Sequence, residues 1–118
     1  MKIPKFEAQT EWVKPTEFPD LRTVEEIAID LETRDPDLIK KGSGAIIGNG
    51  EVIGIAVATK YYKGYFPIAH EGGGNMDRVK VLEWLRDILE SPSTKIFHNA
   101  MYDVCWLKKM GFKINGDI

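Results

Sequence analysis

The sequence predicts an α/β fold with a mixed sheet. Three strand-like segments follow one another between residues 26 and 70. Two helical segments come only after them, separated by a short strand-like run at 94 to 97. The order is therefore βββαβα, and three strands in close succession imply an antiparallel meander.

Residues 1 to 23 hold three of the six prolines, Pro4, Pro15 and Pro19. Prolines at that spacing disfavour a helix, so residues 1–23 read as an extended lead-in anchored by Trp12, Val13 and Phe18, ahead of a domain over 24–118. Residues 26 to 31 form the first strand, and the "TRDPDLIKKGSG" that follows reads as loop, broken by Pro36 and two glycines. "EVIGIAVAT" at 51 to 59 is a second strand introduced by the turn-forming pair Asn49-Gly50, and "GYFPIAH" at 64 to 70 is a third. From Asp77 to Leu89, Val81, Leu82, Leu85, Ile88 and Leu89 recur at helical spacing, with Asp77 suited to the N-cap. "TKIF" at 94 to 97 is a fourth strand. Ala100 to Met110 is a second helix, which Gly111 can end in a left-handed cap.

The totals exclude several function classes. At 118 residues, 43% hydrophobic and 29% charged, the chain has the composition of a soluble globular domain. No apolar run approaches the roughly 20 residues that span a bilayer, and the N-terminus lacks a signal-type apolar core, so the expected location is cytoplasmic. A single cysteine, Cys105, rules out a disulfide within the chain and a cysteine-based zinc site. With only His70 and His98 besides, carboxylates are the plausible metal ligands, and oxygen ligands favour Mg²⁺ or Mn²⁺. A net charge of −2 gives no global nucleic-acid signal but leaves room for a local contact surface.

The first strand contains the feature that needs explaining. In "IAIDLET", residues 27 to 33, Asp30 and Glu32 project from one face while Ile29 and Leu31 project from the other. An interior strand seldom carries ionised carboxylates unless something compensates them, and a divalent cation would. With 8 Asp and 10 Glu, composition alone predicts a D-x-E roughly 0.7 times. The pair alone therefore reads as a solvated edge or half of a salt bridge. A partner appears in "FHNAMYDVCWL", residues 97 to 107. There Asn99 suits the helix cap and Asp103 lies four residues later on the same face, leaning back toward the strand end. By themselves, Asn99 is a simple cap and Asp103 an acid favoured by the helix dipole.

Taken together, "IAIDLET", "GYFPIAH" and "FHNAMYDVCWLKKMGFKINGDI" resemble the first two motifs, and the spacer between them, of the DEDD-type 3′-to-5′ proofreading exonuclease domain of family A DNA polymerases. The similarity is greatest to phage-type enzymes and runs from about Glu26 to the C-terminus. Its specificity lies in the combination: D-x-E-T in a first strand, G-Y-F-P-I-A-H in a third and N-x-x-x-D opening a helix, in that order. The resemblance implies a ribonuclease H-like fold with helices flanking the sheet, incomplete at the C-terminus.

In that family four carboxylates hold two magnesium ions against the terminal phosphodiester, and two ions roughly 4 Å apart can stabilise both the attacking water and the leaving 3′ oxygen. By resemblance, Asp30 would bridge both ions, Glu32 would ligate the first and help position water, and Asp103 would hold the second. Thr33 and Asn99 would contact the terminal nucleotide, with Tyr102 packing beside it. The implied cofactor is Mg²⁺ or Mn²⁺, and the implied partners are the single-stranded 3′ end of DNA, the rest of the exonuclease and a polymerase domain. A third motif, with Tyr or His four residues before the last Asp, is expected after "GFKINGDI". Lys113 stands four residues before Asp117, so Asp117 receives no catalytic role. The 118 residues alone are then expected to be inactive or weakly active.

Remaining features read as structural. "EGGGN" fits neither phosphate-binding glycine pattern and is a loop before a helix. "KYYK" at 60 to 63 mixes basic and aromatic residues, as single-strand binders do, but reads as a hairpin turn with its rings partly buried. His98 reads as structural, and Trp84 and Trp106 as packing residues. The alternative functions are a ribonuclease D-like 3′-to-5′ exoribonuclease and a non-catalytic nucleic-acid-binding module.

Overall fold

The structure is a computed structural model, and it describes residues 17–36, 38, 42–48 and 50–118. The elements are β1 (Glu26–Arg34), α1 (Gly44–Ile47), β2 (Glu51–Ala58), β3 (Lys63–Pro67), α2 (Arg78–Leu89), β4 (Thr94–Phe97) and α3 (Ala100–Lys109). They form an α/β domain around one four-stranded sheet in the order β3-β2-β1-β4. The pairs β1–β2 and β2–β3 are antiparallel and β1–β4 is parallel. The sheet is thus mixed, and β1 is interior.

Register divides the sheet into two chemically different faces. Ile29 stands opposite Val57, Leu31 opposite Ile55, and Ile55 opposite Phe66, so one face is a continuous apolar surface. Val81, Leu85, Ile88 and Leu89 of α2, all buried, belong to the same core. The other face carries the row Asp30, Ala56, Tyr65 and the row Glu32, Gly54, Pro67. Small residues beside two acids leave this side open.

The helix signals act as the sequence predicts. The Asp77 carboxylate accepts from the amides of Val79 and Lys80, and Asn99 Oδ1 accepts from the Tyr102 amide. Gly111 follows α3 with φ +93°. Phe18 stacks on Phe66 and lies against Trp84, whose indole N–H donates to the Pro19 carbonyl at 2.7 Å. Trp12 and Val13 lie outside the described residues, as does Asn49 of the turn pair.

Four expectations need correction. Strand β1 runs on to Arg34, three residues past Leu31, because its pairing with β2 continues across a bulge after Glu32. Strand β3 stops at Pro67, because the next two amides, of Ile68 and Ala69, both donate to the Ile53 carbonyl and break the regular ladder. A helical turn, α1, begins inside the region read as loop: Ser43 caps it and Gly48, at φ +81°, ends it within four residues, too short a run for periodicity to register. Finally, only Tyr62 of the hairpin turn is partly buried; Tyr61 is 88% exposed, with the Lys60 ammonium over its ring. Among the described residues no helix is long and apolar enough to cross a membrane.

Candidate active site

Strand β4 pairs with β1 only as far as Phe97 opposite Ile29. Beyond that point the chain turns into α3, and the Leu31 backbone amide hydrogen-bonds the Asp103 carboxylate instead of another strand. Asp103 is thereby drawn to β1 just past the end of β4, as its lean toward the helix N-terminus predicts. It is 2% exposed, and its Oδ2 has no hydrogen-bond partner. Burial, and then the negative charge of Asp30, push its pKa up to about 7. Asp30 is half-buried and its pKa is also raised by burial, an effect that nearby His98 opposes and Glu32 reinforces.

An open cleft of about 300 Å³ brings all six sequence-predicted site residues together: Asp30, Glu32, Thr33, Asn99, Tyr102 and Asp103 line it. Ala56, Tyr65 and His98 line it as well. His98 is exposed in the turn between β4 and α3. The bulge lies between Glu32 and Thr33, and both side chains reach the same cleft although strand alternation would separate them.

The three acids do not converge equally. Glu32 is exposed and turns toward β3, where Tyr65 donates its hydroxyl to Glu32 Oε1 at 2.5 Å and His70 Nε2 lies 3.8 Å from the same oxygen. Among the described residues, no three His, Cys, Asp or Glu side chains stand arranged to hold an ion. The donor chemistry nevertheless suits a hard divalent cation: Asp30, Glu32 and Asp103 offer carboxylate oxygens to the cleft, one of them buried and unpartnered. Burial and the Glu32 carboxylate raise the Tyr65 pKa, keeping the phenol protonated as a donor.

Sequence reasoning missed Asp35. Its carboxylate accepts from the Gly44 amide at 3.0 Å and from the Tyr102 hydroxyl at 2.6 Å. With the phenol proton committed to Asp35, Thr33 Oγ1 donates to the Tyr102 oxygen at 2.9 Å. Tyr102 therefore has its hydroxyl engaged and offers the cleft a fixed ring. The only sequence signal for Asp35 is its place two residues after Thr33; its partners lie 9 and 67 residues away.

A meeting point on β1 just past the end of β4, a buried unpaired carboxylate and a helix-borne Asn–Asp pair set the site. The sequence profile of the 3′-5′ exonuclease family, as found in family A DNA polymerases, matches residues 16–116. The chain belongs to that family. A DNA-directed DNA polymerase of Pseudomonas phage M6 is 44% identical over 81 residues, which cover 65% of this chain and 12% of that polymerase. The match favours the polymerase exonuclease reading over the ribonuclease D-like and non-catalytic alternatives. Exonucleases of this family are metal-dependent, which gives the acids in the cleft their chemical sense.

Proposed function

We propose that this chain is part of the proofreading 3′-5′ exonuclease of a DNA polymerase, an exonuclease that hydrolyses the 3′-terminal phosphodiester of single-stranded DNA. The observation that carries the reading is the meeting of Asp30 and Asp103, from separate elements, around a buried oxygen that lacks a partner. A residue buried at that cost is explained by a cation, which satisfies Oδ2 and offsets the repulsion between the two acids.

Two divalent ions, Mg²⁺ or Mn²⁺, would stabilise the charge on both the attacking and leaving oxygens. Asp30, central on β1, would serve both. Asp103 would hold the second, and Glu32, at the rim, would hold the first and help position the attacking water. Thr33 and Asn99 present polar groups at the mouth of the cleft to the terminal nucleotide, and the immobilised Tyr102 ring packs beside it. The polymerase domain is the proposed partner that supplies the frayed 3′ end.

Calorimetric titration with Mn²⁺, together with 5′-labelled single-stranded DNA in a gel assay, tests this. The expected results are Mn²⁺ binding that Asp103→Asn or Asp30→Asn weakens at least tenfold, and any digestion proceeding from the 3′ end. Absence of Mn²⁺ binding, or shortening from the 5′ end, overturns the reading.

A further inference from the structure

The segment "GYFPIAH" and the glycine loop after it have no role in the chemistry so far, yet they end at Glu32. Tyr65 stands opposite Ala56, which stands opposite Asp30, so a side chain rising straight from β3 would face Asp30. Instead the ring crosses diagonally over Gly54, the residue opposite Glu32. A Cβ built on Gly54 would lie 1.7 Å from the Tyr65 hydroxyl and 2.3 Å from the ring carbon that bears it. Only glycine leaves that path open.

The hydroxyl then meets two groups, Glu32 Oε1 and His70 Nε2, each at 2.5 Å. An ionised carboxylate can only accept, so the phenol proton goes to Glu32 and the phenol oxygen accepts from His70 Nε2–H. His70 is itself fixed from two sides. Its amide donates to Asn75 Oδ1 at 2.8 Å, and its carbonyl accepts from Asn75 Nδ2 at 3.0 Å, closing the loop 70–75. Just before it, the Ala69 carbonyl accepts from Arg34 Nη2 at 3.1 Å, and Arg34 also pairs with Glu51.

We infer that Tyr65 and His70 are positioning residues for Glu32: the phenol holds Oε1 at the rim of the cleft, leaving Oε2 to face the ion. The inference rests on the reading of Glu32 as an ion ligand. Carboxylates that ligate metals are held by such outer partners, and losing one typically costs 10–100-fold in metal affinity or activity. An unheld glutamate at an exposed rim would also lose rotamer entropy on every binding event.

Mn²⁺ titration of the 118-residue chain separates the possibilities. Tyr65→Phe keeps the ring over Gly54 and removes only the hydroxyl; it should weaken Mn²⁺ binding about tenfold or more. His70→Ala should weaken it as well, whereas His70→Gln, whose amide N–H can replace the donor, should restore affinity to within about threefold of wild type. Tyr62→Phe, on the same hairpin but away from Glu32, should leave Mn²⁺ affinity unchanged. Wild-type or tighter binding by Tyr65→Phe overturns the inference, provided Glu32→Gln weakens binding; tighter binding would mean that the phenol restrains Glu32 away from the ion. If Glu32→Gln itself binds Mn²⁺ as wild type does, the reading of Glu32 as a ligand falls, and the positioning role with it.

Discussion

Asp103 occupies the first turn of α3, where the helix dipole favours an acid, yet it is 2% exposed beside a second carboxylate. Burial and Asp30 outweigh the dipole and the Leu31 amide, and the pKa rises from 3.8 to about 7. The folded state therefore holds this proton more tightly than the unfolded chain does. Stability from that difference is fully present below about pH 4 and is lost as pH rises to about 7, by at most roughly 1.4 kcal/mol per pH unit. Asp103→Asn cannot ionise and escapes this loss. In chelator, it should exceed wild type at pH 8 by on the order of 1–3 kcal/mol and match it near pH 4, as measured by denaturant unfolding. An equal difference at both pH values would show that Asp103 ionises as an exposed aspartate does. Its position was legible in the sequence, because Asn99 and Asp103 share a helix face. Its burial was not, because that depends on β4 ending at Phe97 and freeing the Leu31 amide.

Strand β4 shows the same division at the level of an element. The run "TKIF" reads correctly as a strand, but nothing local indicates that Lys95 is fully buried. Its ammonium donates to the carbonyls of Ser91, Ser93 and Asn115, beyond the C-terminal end of α2 where a cation is favoured. Burial lowers its pKa, and no carboxylate pairs with it in the described residues. The partner Asn115 is 20 residues distant and is itself tied to Leu89 and Glu90. Lys95 thus fastens the segment after α3 onto β4, whose amide at Lys95 donates to the Asp117 carbonyl. Lys95→Met fills a similar volume but leaves three carbonyls, those of Ser91 and Ser93 buried, without their donor, at a cost of about 2–4 kcal/mol. The denaturant midpoint should fall accordingly, and the Asn115 amide should exchange its hydrogen sooner than the β2 amides do. Uniform acceleration would mean that Lys95 supports the whole sheet rather than this segment.

Across the whole molecule, the chemistry is assembled from β1, β3 and α3 on one face of the sheet, while α2 and the apolar strand positions fill the other. The alternation in "IAIDLET" made this two-sidedness legible, since it sends Ile29 and Leu31 one way and Asp30 and Glu32 the other. The supports of the site, Asp35 under Tyr102 and His70 behind Tyr65, were not legible because each contact is made through a turn or bulge that periodicity does not register. The assembly brings like charges together, so folding without a ligand works against the electrostatics of the site. An ion that binds only the assembled face should then stabilise the entire domain, by about 2.7 kcal/mol at a concentration one hundred times its Kd. For a domain of this size that corresponds to a rise in melting temperature on the order of 10 °C. The rise should grow with pH up to about 7, because ion binding must displace the proton from Asp103. Asp30→Asn should abolish most of the rise while unfolding no earlier than wild type in chelator, since it removes the charge that Asp103 faces. If Mn²⁺ raises the melting temperature of Asp30→Asn as much as that of wild type, the ion is held elsewhere and the two carboxylates are not its site.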